Sequence, residues 1–137
     1  MKIRPAVQAV IFSDQEKERK FLMIKKHDIK MKRELWRLVK GGVEKGETEL
    51  QALKREINEE VGLEKIKILK KVHEYFFVFK NVRHEVSVYS VEADVNEKVV
   101  LGQDSDFPFT DYKWSNEKET LTDLFWSDEK ISVKNTP

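Results

Sequence analysis

Three glutamates have the residue type and spacing that most clearly indicate chemistry in this chain: Glu56, Glu59 and Glu60. They lie in a segment with the apolar periodicity of an α-helix, and at 100° per residue their carboxylates fall within an arc of roughly 100°. Carboxylate oxygens are the ligands that hard divalent cations such as Mg²⁺ take in proteins. The spacing therefore predicts a helix face that holds a divalent cation.

The position of these glutamates is unfavourable for the helix itself. They occupy its last two turns, where the negative end of the macrodipole disfavours an anion by about 0.3–1 kcal/mol. Glu56 and Glu60 also form a like-charge pair four residues apart. A solvated glutamate-rich face is the alternative interpretation, because glutamate is a good helix former. The helix alone supports both interpretations equally.

The segment before this helix is rich in glycine. It reads Lys40-Gly-Gly-Val-Glu-Lys-Gly-Glu47 and leads directly into the predicted helix. Glycine lets backbone approach a phosphate or a metal closely, and a helix N-terminus favours anions. The combination favours a phosphate or metal site over a solvated surface.

Loop and helix together form one continuous pattern. It consists of Gly41, five residues, Glu47, seven residues, and then Arg55-Glu56-Ile57-Asn58-Glu59-Glu60-Val61-Gly62-Leu63. This pattern resembles the Nudix box, with no gap or substitution. The resemblance implies one Nudix hydrolase domain over residues 1–137, a pyrophosphohydrolase that cleaves a nucleoside diphosphate linked to another moiety. It also implies Mg²⁺ as the cofactor, or Mn²⁺ as in some members of that family.

The resemblance assigns roles to residues of the box. It implies that Glu56, Glu59 and Glu60 are metal ligands and that one of them activates water, without separating the base from the ligands. A backbone carbonyl of Gly41 or of the following glycine would complete the ligand shell.

Two further box residues and one downstream acid have implied roles. Arg55 would hold Glu47 and the first box glutamate in place through charge-assisted hydrogen bonds, and the alternative is an ordinary exposed helix arginine. Glu47 would be this partner or a ligand through water. Many family members supply one more acidic ligand from a downstream loop. Here Asp104, Asp106 and Asp111 compete, and we choose Asp106.

Residues outside the box indicate the substrate. The segment from Trp36 to Glu47 and the triplet Tyr112-Lys-Trp114 resemble those of the dinucleoside polyphosphate hydrolases. This implies cleavage of diadenosine tetraphosphate to ATP and AMP, with Lys40 near the polyphosphate. Val39 stands where that branch usually has proline, and Gly42 where it often has histidine or arginine. Lys40 as a solvated loop lysine is the alternative.

Other substrates stay open. They are oxidised or ordinary nucleoside triphosphates, ADP-ribose, and the RNA 5′ end, which is the less favoured alternative. A nucleotide-binding module without catalysis is the alternative from a different class. Such modules have usually lost a carboxylate of the box, whereas this chain has Glu47, Glu56, Glu59 and Glu60.

Aromatic residues of two predicted strands are candidates for stacking on a nucleotide base. Stacking contributes roughly 1–3 kcal/mol per base. Tyr75 and Tyr89 are the candidates, and a structural role is the alternative for each. The spacing of His27, His73 and His84 does not indicate metal binding.

The predicted elements form an α+β fold, a Nudix-type α/β/α sandwich with a mixed sheet, the Nudix loop-helix and a C-terminal helix. A hairpin pairs 6–12 with 21–24, a short apolar run covers 36–39, and a second antiparallel pair covers 66–79 and 85–95. One helix runs from Thr48 to Val61, with a Thr48–Gln51 capping box and an end at Gly62. Its predicted buried residues are Leu50, Leu53, Ile57 and Val61. A second helix covers 116–126, with Leu121, Leu124 and Phe125 facing inward.

Composition limits the class of protein. The chain has 137 residues, no cysteine and a net charge of +1. Disulfides and cysteine nucleophiles are therefore excluded, and no overall charge indicates DNA or an anionic membrane as partner. We expect a cytoplasmic monomer or homodimer without a signal peptide or membrane span, acting on a small nucleotide.

Overall fold

The centre of the fold is a mixed β-sheet. The computed structural model describes residues 1–102 and 108–137. Within them, the strands are β1 (Lys2–Ser13), β2 (Lys20–Asp28), β3 (Arg33–Arg37), β4 (Val39–Gly42), β5 (Ile66–Phe79), β6 (Val82–Ala93) and β7 (Asp111–Ser115). The helices are α1 (Glu49–Val61), α2 (Glu117–Asp123) and α3 (Ser127–Asn135).

Strand β1 organises the sheet. The main path is β3-β2-β1-β6-β5, while β4 pairs with β1 and β7 pairs with β2. β1 and β6 are parallel, and the other pairs are antiparallel. The pairing of β1 with β4 sets Gln8 opposite Lys40 and Val7 opposite Gly41. The glycine-rich segment thus begins as a strand in the sheet.

The two faces of the sheet carry separate cores. Val7, Ala9 and Ile11 of β1 pack with α1 on what we call the α1 face. Ala6 and Val10, which alternate with them, pack with Val133 of α3 on what we call the α3 face. This alternation is the two-residue period of a strand. The predicted α/β/α sandwich with a mixed sheet is confirmed.

Helix α1 begins and ends as predicted. Thr48 and Gln51 form the capping box, and Gly62 ends the helix at φ 69°, in the left-handed region that glycine adopts without strain. The predicted burial of Leu50 is wrong, since it is 49% exposed. The buried positions Leu53, Ile57 and Val61 recur every four residues. One turn before Leu53 this spacing reaches Glu49, whose carboxylate accepts hydrogen bonds from β6.

The C-terminal region contains two helices where the sequence predicts one. α2 ends because Leu124 takes an extended conformation (φ −65°, ψ 133°) and forms a parallel bridge with Trp36 of β3. Leu124 is buried as predicted, whereas Phe125 is 39% exposed rather than inward. Burial of Leu124 against the sheet explains the break, for no glycine or proline marks it in the sequence.

Turns account for the other differences in the sheet. β5 has the predicted bounds, but β6 begins at Val82 rather than at 85. Lys80 and Asn81 form a tight two-residue turn, with φ of 50° and 60°. The predicted run 36–39 is divided between β3 and β4, and β7 was not predicted. No helix in 1–102 or 108–137 is long and apolar enough to cross a membrane.

Candidate active site

Arg55 is the centre of the hydrogen-bond network on α1. Its Nε donates to Glu47 Oε2 at 2.7 Å, and Nη2 donates to Glu47 Oε1 at 2.8 Å. Nη1 donates to Glu56 Oε1 at 2.8 Å and to Glu59 Oε2 at 3.2 Å. Nη2 also donates to the Gly42 carbonyl at 3.0 Å. One guanidinium thus joins the loop, the helix and the end of β4.

These contacts set the charges of the network. The Arg55 hydrogen bonds, with a weaker one from the Glu44 backbone, lower the pKa of Glu47 to about 2. Hydrogen bonding to Glu47 and Glu56 raises the pKa of Arg55 above its already high value. The Arg55 side chain is only 22% exposed. Both hydrogen-bonded partners expected of Arg55 are present, so it is not an ordinary exposed helix arginine.

Glu56 and Glu60 form a close carboxyl pair. Burial first, and then the hydrogen bond to Glu56, raise the pKa of Glu60 well above its ordinary value. A hydrogen bond from the Lys40 backbone opposes this shift. Two carboxylates this close do not both ionise without a compensating charge. A divalent cation supplies that charge with the oxygen ligands it prefers, so this donor set fits such a cation.

Gly41 makes room for this pair. A Cβ built at Gly41 would overlap the carboxyl group of Glu56. A Cβ at Gly42 would instead come closest to the guanidinium of Arg4, at 2.8 Å from Nη2. Glu56 therefore lies directly against the β4 backbone, and only a glycine at position 41 permits it.

A segment that sequence reasoning missed supports the end of α1. Val100 N donates to the Val61 carbonyl at 2.9 Å, and Gly102 N donates to the Glu60 carbonyl at 3.0 Å. A Cβ at Gly102 would overlap the Glu59 carbonyl oxygen. These contacts satisfy carbonyls that a helix end leaves free. The isolated glycine at 102 was the only sequence signal.

The predicted metal ligands are brought together only in part. Glu56 and Glu60 lie side by side, while the Glu59 side chain is 58% exposed and reaches Arg55. Across 1–102 and 108–137, no three histidine or acidic side chains form a ready ligand set. Asp106 lies outside the described residues, and so does Asp104. Asp111 begins β7, where its carboxylate accepts from the backbone of the next residue.

Lys40 lies on the α3 face. Its Nζ is 4.3 Å from the centroid of the Phe77 ring. Burial, reinforced by the positive charge of Arg37, lowers the pKa of Lys40 to about 8. Lys40 is therefore a partly buried cation beside Gly41, packed against Phe77 rather than fully solvated.

The two candidate tyrosines lie on opposite faces of the sheet. Tyr75 shares the α3 face with Phe77 and Lys40, and it stacks on His73 with ring centroids 5.7 Å apart. Tyr89 lies on the α1 face, where its hydroxyl donates to Glu49 at 2.5 Å. Tyr89 thus holds the first turn of α1 and is not brought together with Lys40.

The histidines are strand residues, as expected. His73 Nε2 lies 2.9 Å from Asp128 Oδ1 of α3, and His84 stacks on Phe77 with centroids 4.6 Å apart. His27 lies on β2 beside Glu34, with Nδ1 3.6 Å from Oε1.

A buried polar network on the α3 face was also missed. It joins Gln8, Arg37 and Glu129, and both Gln8 and Glu129 are almost fully buried. A glutamine among apolar strand residues was its only sequence signal, because the helix that carries Glu129 was not predicted.

Comparison with known proteins adds the following findings. A family model described as "NUDIX domain" matches residues 2–134. An RNA pyrophosphohydrolase of a Nitratiruptor species is 34% identical over 73 residues, which make up 53% of this chain and 45% of that protein. Another, from Ruthia magnifica subsp. Calyptogena magnifica, is 43% identical over 61 residues, 41% of this chain and 34% of that protein. The chain spans less than half the length of these curated relatives.

A solved structure of similar fold is the binary complex of a C. elegans Ap4A hydrolase. Its TM-score is 0.81 at 20% sequence identity, with 96% of this chain and 93% of that chain covered. At this identity the likeness supports the fold.

Proposed function

The chain belongs to the NUDIX family, and from that premise we propose that it is a pyrophosphohydrolase that cleaves a phosphoanhydride bond of a nucleotide. The observation that carries the proposal is the arrangement around Arg55. The Arg55 guanidinium donates hydrogen bonds to Glu47, Glu56 and Glu59. Glu56 and Glu60 form a carboxyl pair beside Gly41, where the absence of a side chain leaves room for the Glu56 carboxyl. Nudix hydrolases generally use a divalent metal. Mg²⁺ is the proposed ion, with Mn²⁺ as the alternative.

The residues of the site have separate proposed roles. Divalent cations, when bound, would offset the charge of the pyrophosphate oxygens and lower the pKa of the attacking water. Arg55 keeps Glu47 ionised and orients both Glu47 and Glu56 through charge-assisted hydrogen bonds. One of Glu56, Glu59 and Glu60 accepts the proton of the water as general base. Lys40 supplies positive charge to the polyphosphate from the adjacent strand.

For the substrate we propose a dinucleoside polyphosphate such as diadenosine tetraphosphate. Lys40, Phe77 and Tyr75 share one face of the sheet, so a cation for phosphate and aromatic rings for a base lie on the same side. Because every base has a π-face, aromatic rings suit an adenine without selecting it strictly. A role for Gly41 and Asp106 in the ligand shell belongs to the same proposal.

The 5′ end of RNA is the second candidate, and two observations favour it. The curated relatives described above carry the name RNA pyrophosphohydrolase. Residues 25–40 also contain seven basic residues against two acidic ones, although the whole chain has a net charge of only +1. The basic residues are Lys25, Lys26, Lys30, Lys32, Arg33, Arg37 and Lys40, and the acidic ones are Asp28 and Glu34. Lys30, Lys32 and Arg33 are exposed, and exposed basic residues suit a polyanion.

A substrate panel tests both candidates. The purified protein is incubated with Mg²⁺ and diadenosine tetraphosphate, ADP-ribose, oxidised dGTP or 5′-triphosphorylated RNA, and the products are resolved by anion-exchange chromatography. We expect ATP and AMP from diadenosine tetraphosphate, with the highest kcat/KM of the panel, and loss of activity in EDTA. Preferred cleavage of the RNA would replace the first substrate with the second. Activity that survives complete chelation would contradict the metal requirement, and no cleavage of any phosphoanhydride would contradict the proposed function.

The substitution Arg55→Lys tests the guanidinium network. A lysine keeps the charge but not the planar fork that donates to several carboxylates at once. We expect kcat/KM to fall by roughly 10–100-fold, as for other residues that orient metal ligands. Lys54→Arg, on the exposed neighbouring position, is the control and should leave kcat/KM unchanged. Wild-type kinetics in Arg55→Lys would mean that charge alone suffices.

A further inference from the structure

Glu129 is a buried carboxylate in the first turn of α3. It is 1% exposed, and its two oxygens accept three hydrogen bonds. Arg37 Nε donates to Oε1 at 2.9 Å, while Gln8 Nε2 and the Leu38 backbone donate to Oε2 at 2.9 and 3.0 Å. The three donors come from β1, β3 and the residue between β3 and β4.

One branch of this network reaches the aromatic residues of β5. The Tyr75 hydroxyl donates to Gln8 Oε1 at 2.7 Å, so the amide of Gln8 links Tyr75 to Glu129. Donation of Nε2 to a carboxylate fixes the orientation of that amide, since a carboxylate only accepts. The neighbour Asp128 bonds to His73, which stacks on Tyr75. Two consecutive acidic residues of α3 thus orient two stacked rings.

The other branch reaches the strand that carries Lys40. Leu38 immediately precedes β4, and its N–H is held by Glu129. Lys40, two residues further on, lies opposite Gln8 in the sheet. Arg37 completes the branch, since its Nη1 also lies 3.6 Å from Asp28 Oδ2. The Glu129 carboxylate therefore bonds both to Gln8, which accepts from Tyr75, and to Leu38, which precedes the strand of Lys40.

Stability alone is a weak reason for such a group. A buried ion pair gains little net free energy, because removing both ions from water offsets their attraction. An apolar residue at this position would pack against the same core without that cost. Networks with every polar group satisfied, in contrast, fix one geometry of the surrounding side chains.

We propose that Glu129 is a positioning residue for substrate binding, which orients Tyr75 through Gln8 and holds the strand carrying Lys40 through Leu38. This inference rests on the proposed function and extends it to the C-terminal helix, which contributes no residue to the box. Glu129 acts through its neighbours rather than on the reacting atoms. Its loss should therefore change substrate affinity and spare the chemical step.

The variant Glu129→Gln keeps the shape and removes the charge. Its amide nitrogen accepts no hydrogen bond, so the network loses either the bond from Arg37 or those from Gln8 and Leu38. With diadenosine tetraphosphate, or the panel member that the wild type cleaves fastest, we expect KM to rise about tenfold while kcat stays within about threefold. The Mg²⁺ concentration for half-maximal activity should not change. A KM within twofold of the wild type would overturn the proposal.

A further variant separates positioning from general destabilisation. Val133→Ala removes a buried side chain of the same helix that forms none of the hydrogen bonds of the network, and it should lower the melting temperature but leave KM unchanged. An equal rise of KM in Val133→Ala would contradict the assigned role.

The outcome stays decidable if Glu129→Gln does not fold. Tyr75→Phe removes only the terminal hydroxyl of the same network, and we expect it to raise KM severalfold without lowering kcat. Wild-type KM in Tyr75→Phe would then overturn the proposal. Inactivity of the wild-type protein towards the whole panel would instead refute the proposed function, which distinguishes the two failures.

Discussion

Glu60→Gln is expected to lower turnover by about a thousandfold, or about 4 kcal/mol of transition-state stabilisation. An amide keeps the size of the side chain but removes the negative charge that a divalent cation or an attacking water would require. Glu60 is the carboxyl whose pKa burial and Glu56 raise most clearly. The measurement is kcat with saturating Mg²⁺, together with the rise in melting temperature on adding Mg²⁺, which should disappear.

The same variant should not lose stability without metal. A raised pKa means that the folded state binds the proton more tightly than the unfolded state does. In EDTA the wild type therefore loses stability as the pH rises above the ordinary carboxyl range, whereas the amide of Glu60→Gln does not. We expect its melting temperature in EDTA to equal or exceed that of the wild type at pH 8.

The control for this prediction is Glu64→Gln, an exposed glutamate just after the helix. It removes the same charge from the same end of α1 without approaching Glu56, and it should keep wild-type kcat. Full turnover in Glu60→Gln would refute the assignment of the metal site. Equal losses in both variants would show that the effect comes from long-range charge.

The part of the molecule that the sequence predicts best is α1, because its determinants are local. The Thr48–Gln51 box and the glycine at 62 lie within the helix ends, and the buried stripe repeats along a single segment. The carboxylates that accept hydrogen bonds from Arg55 also lie within eight positions of it, and Glu59 has the i,i+4 spacing that helix geometry brings together. The error at Leu50 shows the limit of this approach, because the first turn contacts β6 and not the core.

The parts that the sequence does not predict depend on distant contacts. The break at Leu124 follows from its bridge to Trp36, 88 positions earlier in the chain. The burial of Glu129 depends on distant donors, Gln8 on the first strand and Arg37 and Leu38 near β3. The difference between Tyr75 and Tyr89 depends on which face of the sheet each occupies, and the irregular pairing of β5 with β6 complicates any count along the strands.

Gly41→Ala tests whether close approach of Glu56 to β4 is required for catalysis. The new methyl group would overlap the Glu56 carboxyl, so that carboxyl must move by about 1 Å or more, and displacements of this size cost roughly a hundredfold in rate. We expect kcat/KM to fall by that factor, with a higher Mg²⁺ requirement, measured by initial rates over a range of Mg²⁺ concentrations.

Gly42→Ala is the matched control for this substitution. It adds the same methyl group one position along β4, where its nearest neighbour is the flexible end of Arg4. Both variants lose the same backbone freedom, so a difference between them isolates the contact with Glu56. A large loss in Gly41→Ala beside near-wild-type kinetics in Gly42→Ala would show that the reaction requires the Glu56 carboxyl against β4. Equal losses would instead show that β4 tolerates a side chain at neither position. The contact between Gly41 and Glu56 would then not be required for the chemistry.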